Sequence, residues 1–160
     1  MAADARVVGI ISDTHGLLRS GVHEALAGVD VILHAGDVGG DEILSELQLI
    51  APVRAVFGNT DPPGTALLEE AIELAIDGVA IHVSHGHELG SPTPARLAAA
   101  YPGADVIVYG HTHRQLITRI GDRLIVNPGA AGPRRFKLQP SLGRMTISGG
   151  KAEVEIIDLT

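Results

Sequence analysis

RVVGIIS at residues 6–12, followed at once by Asp13-Thr14-His15, decides how the rest of the chain is read. The run is apolar without polar alternation, the pattern of a strand buried on both faces of a sheet. The same unit returns twice. DVILHA (residues 30–35) runs into Gly36-Asp37, and the apolar run 53–57 runs into Gly58-Asn59. Between these runs, residues 17–27 read as a helix weakened by Gly21. Residues 41–50 read as a second helix, with Asp41 as N-cap and Glu42 in the first turn. Pro52 stops it. A β-α-β-α-β order predicts a parallel sheet with right-handed crossovers.

Further along, the pattern changes character. Residues 68–76 and 79–84 flank Asp77-Gly78, a hairpin signal, and are read as two antiparallel strands. Residues 94–100 suit a short helix with Pro94 near its first turn. DVIVY (residues 105–109) is read as another buried strand. Beyond it all is β: 115–120 and 123–126 around Gly121-Asp122, then 142–148 and 152–159 around Gly149-Gly150, with an irregular loop at 133–140. The expectation is an α/β layer fused to a second sheet.

Composition bounds the function. The 160 residues suit one domain, 1–160, and 45% hydrophobic content excludes a disordered chain. No apolar run approaches the roughly 18 residues of a membrane helix, and the first residues lack a secretory pattern. With no Cys there are no disulfides and no thiolate ligands, so a cytoplasmic location is expected. A net charge of -7 disfavours duplex nucleic acid, and 2% aromatics leave no stacking platform for single strands. Eight His are the compositional oddity, and they point to metal ligation.

Asp13-Thr14-His15, Gly36-Asp37, Gly58-Asn59, His85-Gly86-His87 and Gly110-His111-Thr112-His113 each follow the carboxyl end of an expected strand. In open α/β sheets ligands bind outside those ends. Oxygen donors with imidazoles suit Mn, Fe, Co, Ni or Zn. The donors Asp13, His15, Asp37, Asn59, His85, His111 and His113 exceed what one catalytic metal takes from protein. Two ions sharing a carboxylate, about 3.5–4 Å apart, fit the count better.

The order Asp-x-His, Gly-Asp, Gly-Asn, His, Gly-His-x-His resembles the calcineurin-like metallophosphoesterases. The phrases HAGD, GNTD, SHGH, GHTH and NPG are similar to those of the small bacterial and archaeal phosphodiesterases of that superfamily. The resemblance spans residues 10–134. It implies a four-layer α-β-β-α sandwich with mixed sheets. It also implies a partition: Asp13, His15 and His113 on one metal, Asn59, His85 and His111 on the other, and Asp37 bridging. The expected cofactor is two divalent ions, Mn first. The expected reaction is hydrolysis of small phosphodiesters by a metal-bridging hydroxide, with a small phosphodiester as the partner and no membrane or duplex. Pairing with a second copy of the chain stays open.

Two departures narrow the substrate. Many relatives carry His after Gly-Asn, where this chain has Thr60, and no Arg follows soon after Asp37. Phosphomonoesterase activity is one alternative. A non-catalytic scaffold, resembling the endosomal-sorting subunit with this fold, is another, but none of the seven donors is replaced by an inert type. A β-lactamase-fold hydrolase would want His-x-His-x-Asp-His, and residues 111–115 read HTHRQ. His23 is expected in solvent, and His34 and His82 in the core. His87 and Asp61 are candidates for a supporting shell, Asn127-Pro128-Gly129 for a turn closing the site wall, and Arg134 for a phosphate contact.

Overall fold

The computed structural model describes residues 5–62, 67–135 and 137–159. Residues 1–4, and position 136 within the expected loop, lie outside them. The elements in chain order are β1 (Arg6–Ile11), α1 (Gly21–Ala25), β2 (Val31–His34), α2 (Asp41–Gln48) and β3 (Val53–Val56). Then come β4 (Leu68–Glu69), β5 (Ile72–Ile76), β6 (Val79–Val83), α3 (Pro94–Ala100) and β7 (Val106–Val108). β8 (Leu116–Ile120), β9 (Arg123–Asn127), β10 (Ser141–Ser148) and β11 (Lys151–Asp158) complete the chain.

Two mixed sheets result. One has six strands in the order β11-β10-β1-β2-β3-β4, and the other five in the order β5-β6-β7-β9-β8. β1 to β4 run parallel, and β10 joins β1 antiparallel. In the second sheet β6, β7 and β9 are parallel, with β5 and β8 antiparallel at the edges.

The strands are apolar on both faces because both faces are covered. Val8, Ile10, Leu33 and Val56 of the first sheet meet Ile81, Val83, Val106 and Val126 of the second in one buried cluster. On the outer side, Ile11 and Ile32 pack with Val22, Leu26, Leu44 and Leu47 of the α1 and α2 region. Across the molecule, Ile107 and Ile125 pack with Leu97 of α3. The layers are therefore α-β-β-α, as the family resemblance implied. Full burial of each such side chain contributes about 1.5–3 kcal/mol. Gly9 sets the helix spacing, because a Cβ there would stand 2.7 Å from Leu26 Cδ2.

Three local expectations are corrected. The helix expected over 17–27 is confined to Gly21–Ala25. Residues before it form a loop, in which Leu17 N–H bonds Thr14 O and Arg19 Nε donates to Gly132 O. α2 ends at Gln48 and its N-cap is Gly40, with no side-chain cap bond, so Asp41 is the first helical residue. The run 68–76 is divided between sheets: β4 pairs with β3 and β5 with β6. The hairpin is as expected, since Ile76 pairs Val79 and both Asp77 and Gly78 have positive φ, a type I′ turn. Among the described residues, no helix is long and apolar enough to cross a membrane.

Candidate metal centre

β1, β2 and β3 of one sheet and β6 and β7 of the other end at a common rim. Asp13 and His15 follow β1, Asp37 follows β2, Asn59 follows β3, His85 follows β6, and His111 and His113 follow β7. The backbone turns sharply at these ends. Asp13, His15, Asp37, His111 and His113 all have φ between 45° and 70°; the sixth non-glycine case among described residues is the hairpin residue Asp77. Left-handed backbone at a non-glycine residue costs on the order of 1–3 kcal/mol and persists where surroundings over-determine it. Here interstrand loop bonds do so: Asp13 N–H to Gly36 O, His15 N–H to Asp37 O, and Gly110 N–H to His85 O.

Each carboxylate is divided between anchoring and presentation. Asp13 Oδ2 accepts from Ser12 Oγ at 2.7 Å and His111 N–H at 3.2 Å. Its Oδ1 is buried with no hydrogen-bond partner. Asp37 Oδ1 accepts from Thr60 N–H at 2.9 Å, which leaves Oδ2 free to face His15 and His85. Gly58 makes room for this, because a Cβ there would lie 2.1 Å from Asp37 Oδ1. His85 Nδ1 donates to Ala35 O at 2.8 Å, which fixes the tautomer and turns the Nε2 lone pair inward.

The inward atoms form two sets. Asp13 Oδ1 is 3.4 Å from His113 Nε2 and 3.7 Å from His15 Nε2, and those two nitrogens are 3.4 Å apart. In the other set, Asn59 Oδ1 is 3.1 Å from His85 Nε2 and 3.2 Å from His111 Nδ1. Asp37 Oδ2 lies 3.6 Å from His15 Nε2 and 3.2 Å from His85 Nε2, so it borders both. Ligands about 2.1 Å from one cation stand about 3.0–3.4 Å apart along the edges of its coordination polyhedron. The spacings, and the orphaned Asp13 oxygen, fit cations between these donors. All seven residues expected from the sequence are thus gathered at one rim.

Protonation follows the charges. Burial opposes the Asp37 charge, but His85 and Thr60 prevail and hold its pKa to about 2. Asp13 is likewise held below the carboxylate range, against its own burial, by His113 and His15. The nearby Asp13 carboxylate raises His15. Burial pulls His85 down, yet Asp37 and Asp13 raise it overall. Burial, then the neighbouring His85, lowers His111.

Supporting residues were only partly legible. Asp61 accepts backbone N–H bonds from Val38, Gly39 and Gly58, tying the Asp37 loop to the Asn59 loop. Asn127 Nδ2 donates to Gly110 O and Thr112 Oγ1, bracing the His111 loop as a site wall should. Ser12 was missed, its hydroxyl indistinguishable in sequence from a strand-end residue. Among the charges acting on His15, Arg135 is the weakest, opposing the ring's protonation. His23 is on the surface beside Glu46. His82 is buried and satisfied.

His34 is a core histidine as expected, and its neighbours settle its tautomer. Gly36 N–H donates to Nδ1, Nε2–H donates to Thr14 Oγ1, and Thr14 donates to Val38 O. Complete burial keeps the ring neutral, with a pKa lowered to about 4. Between that value and the unfolded value near 6.5, only the unfolded chain takes the proton. The stability is therefore full above pH 6.5 and is lost as pH falls toward 4, a range worth about 3 kcal/mol. His15 and His85, being raised, act with the opposite sign. Urea unfolding in chelator at pH 7.5 and 5 should show a pH penalty in the wild type that shrinks by about 2 kcal/mol, the part of that range lost by pH 5, in His34→Gln. Equal slopes would show that His34 is not the controlling group.

Carboxylate, carboxamide and imidazole donors gathered at the strand ends of an α-β-β-α sandwich are the donor types of a divalent-metal site. The chain belongs to the calcineurin-like phosphoesterase superfamily, whose domain model matches residues 7–150. It is 34% identical over 164 residues to a "Probable metallophosphoesterase" of Methanothermobacter thermautotrophicus, covering 94% of this chain and 91% of that one. A phosphodiesterase of Methanocaldococcus jannaschii is 29% identical over 140 residues, 76% of this chain and 82% of its own. In fold, the chain resembles the crystal structure of Chaetomium thermophilum Vps29 with a TM-score of 0.81 at 20% identity, over 96% of this chain and 97% of that one.

Proposed function

We propose that this phosphoesterase is a two-metal phosphodiesterase acting on small phosphodiesters. The observation that carries the reading is the Asp37 Oδ2 oxygen standing between the two donor sets. Asp13, His15 and His113 would hold one ion and Asn59, His85 and His111 the other, with Asp37 available to both. When bound, the two ions supply a hydroxide nucleophile and a clamp on the phosphoryl oxygens, Mn being the favoured element. The chain's own part is positioning. Ser12, the His111 N–H and the Thr60 N–H fix the carboxylates, and Ala35 O fixes His85. The scaffold reading gains nothing from the fold likeness, because the donor set is intact.

Chelation should abolish hydrolysis of bis(p-nitrophenyl) phosphate, and Mn²⁺ should restore it with about two ions bound per chain. Saturation at one ion, or activity that survives chelation, overturns the two-metal reading. The raised His15 and His85 add a pH signature, since protons compete with metal for both rings. Activity falls as pH drops through and below the usual imidazole range, and excess Mn²⁺ moves that fall to lower pH. A limb indifferent to Mn²⁺ assigns it to another group.

Thr60 limits the leaving group. Its N–H is committed to Asp37 and its hydroxyl is no acid at neutral pH. Activated aryl diesters should therefore be cleaved far better than alkyl monoesters. Thr60→His should raise alkyl turnover selectively, within the roughly 10²–10⁴-fold range of general acid catalysis. Equal gains on aryl and alkyl substrates, at unchanged metal occupancy, would refute this account.

A further inference from the structure

A cavity of about 360 Å³ opens beside the metal centre, lined in part by Phe57, Glu70, Ser84, His87, Glu88 and Tyr101. The His87 ring lies 5.3 Å from that of His85 and 6.4 Å from that of His111, so the cavity and the second donor set share a wall. Its volume is at the small end of ligand pockets, room for one ring system rather than a polymer.

The walls are built and braced. Tyr101 stacks on His82 at a centroid distance of 3.6 Å and donates its hydroxyl to Glu88 Oε2 at 2.6 Å. Gly86 N–H donates to Glu88 Oε1 at 3.0 Å. His82 is held between Glu73 and Ser84 Oγ. Ser84, His82 and Glu73 have the connectivity of an acyl-transfer triad. However, Ser84 is only 2% exposed, and the nearby Gly86 N–H that an oxyanion would need is committed to Glu88. The relay is a brace for the pocket, not a nucleophile.

Phe57 faces His87 across 6.4 Å, so the lining offers aromatic surface. The polar lining is mostly acceptor. Burial opposes charge on Glu88, but the Tyr101 hydroxyl leads the contacts that overrule it and keep the carboxyl below the usual glutamate range. Glu70 adds a second carboxylate. Such a lining repels anions, accepts hydrogen bonds and contacts flat rings.

We propose that this pocket receives one ester arm of the substrate and selects a planar, uncharged ring bearing N–H or O–H donors, the chemistry of a nucleoside, over an arm carrying a second anion. The inference rests on the phosphodiesterase reading, with the pocket as its specificity determinant.

Three p-nitrophenyl phosphodiesters test it with the Mn²⁺-loaded protein, their second arms being a nucleoside, a methyl group and a carboxylate-ended chain. The nucleoside ester should show a KM about tenfold below that of the methyl ester, on the scale of one ring–aromatic contact. Phe57→Ala should collapse that ratio. Glu88→Gln should lower the KM of the carboxylate-ended ester at least about threefold, which a variant that merely loosens the fold would not do. Equal KM values for the nucleoside and methyl esters, or a ratio untouched by Phe57→Ala, overturn the proposal. A carboxylate-ended ester indifferent to Glu88→Gln overturns its charge selection. Adenosine titrated into metal-free protein should shift the backbone amide resonances of Ser84, Glu88 and Tyr101 saturably. If it does so while no ester is cleaved, the phosphodiesterase reading fails and the pocket stands. Without those shifts, the pocket fails even if the esters are cleaved.

Discussion

Asp37→Ala should leave a folded protein that binds the second metal ion more than about 100-fold less tightly and has lost nearly all hydrolysis. The expectation follows from where the two carboxylate oxygens go. Oδ1 is consumed by the Thr60 N–H, and Oδ2 stands 3.6 Å from His15 Nε2 and 3.2 Å from His85 Nε2, closer to both rings than Asp13 Oδ1 at 3.7 and 3.9 Å. Removing residues that merely support a ligand already costs about 10–100-fold in metal affinity. Losing the atom that both ions would share must cost more. Asp37→Asn separates charge from shape: it keeps an oxygen able to accept from Thr60 but turns an NH₂ toward His15 and His85. It should therefore be nearly as inactive as Asp37→Ala while retaining more of the loop's order. Calorimetric Mn²⁺ titration of the two variants makes the test, beside their rates on bis(p-nitrophenyl) phosphate. Binding of two ions with near-wild-type affinity by either variant would remove Asp37 from the bridging role.

The residues that carry this argument were readable in advance because they obey a topological rule rather than a local one. The VVGII of RVVGIIS is apolar throughout because its two faces enter two different cores, one between the sheets and one under α1 and α2. Such a strand announces its end, and the polar residue after it is where a parallel sheet presents chemistry. What sequence conceals is the choice among tertiary partners. Nothing between Leu68 and Ile76 says that the first two residues pair with β3 and the last five with β6. Leu17 looks helical, yet its N–H bonds Thr14 O in the loop that carries Asp13 and His15, and that need overrides propensity. The supporting shell is hidden for a different reason. Ser12, Asp61 and Asn127 are the residue types of ordinary turns. Their importance lies in which backbone groups they meet from distant segments. The left-handed backbone at Asp13, Asp37, His111 and His113 is equally invisible, since those residue types tolerate it without requiring it.

Asp61 shows how much can rest on such a residue. It is 6% exposed and accepts from Val38 N–H at 3.0 Å, Gly39 N–H at 3.1 Å and Gly58 N–H at 2.9 Å. Asp61→Ala removes every one of those acceptors, and each buried donor left unpaired costs about 1–3 kcal/mol. Water entering the gap recovers part, so a net loss of about 3 kcal/mol is the expectation. At about 2–4 °C per kcal/mol for a chain of this size, Tm should fall by about 6–12 °C. Asp61→Asn can still accept through Oδ1 but presents an NH₂ to one of the N–H groups, so its loss should be intermediate. The functional consequence follows from the tie itself. Gly58 precedes Asn59 and Val38 follows Asp37, so releasing the tie frees the bridging carboxylate from the carboxamide that faces His85. Metal affinity should drop about 10–100-fold, the usual cost of losing an orienting partner. Saturating Mn²⁺ should then restore part of the lost Tm, because binding to the native state alone stabilises it by mass action. Thermal unfolding of the wild type and both variants, with chelator and with excess Mn²⁺, reads both effects. A wild-type Tm for Asp61→Ala in chelator would show that the three N–H groups find other acceptors, and that the two loops are held together by something else.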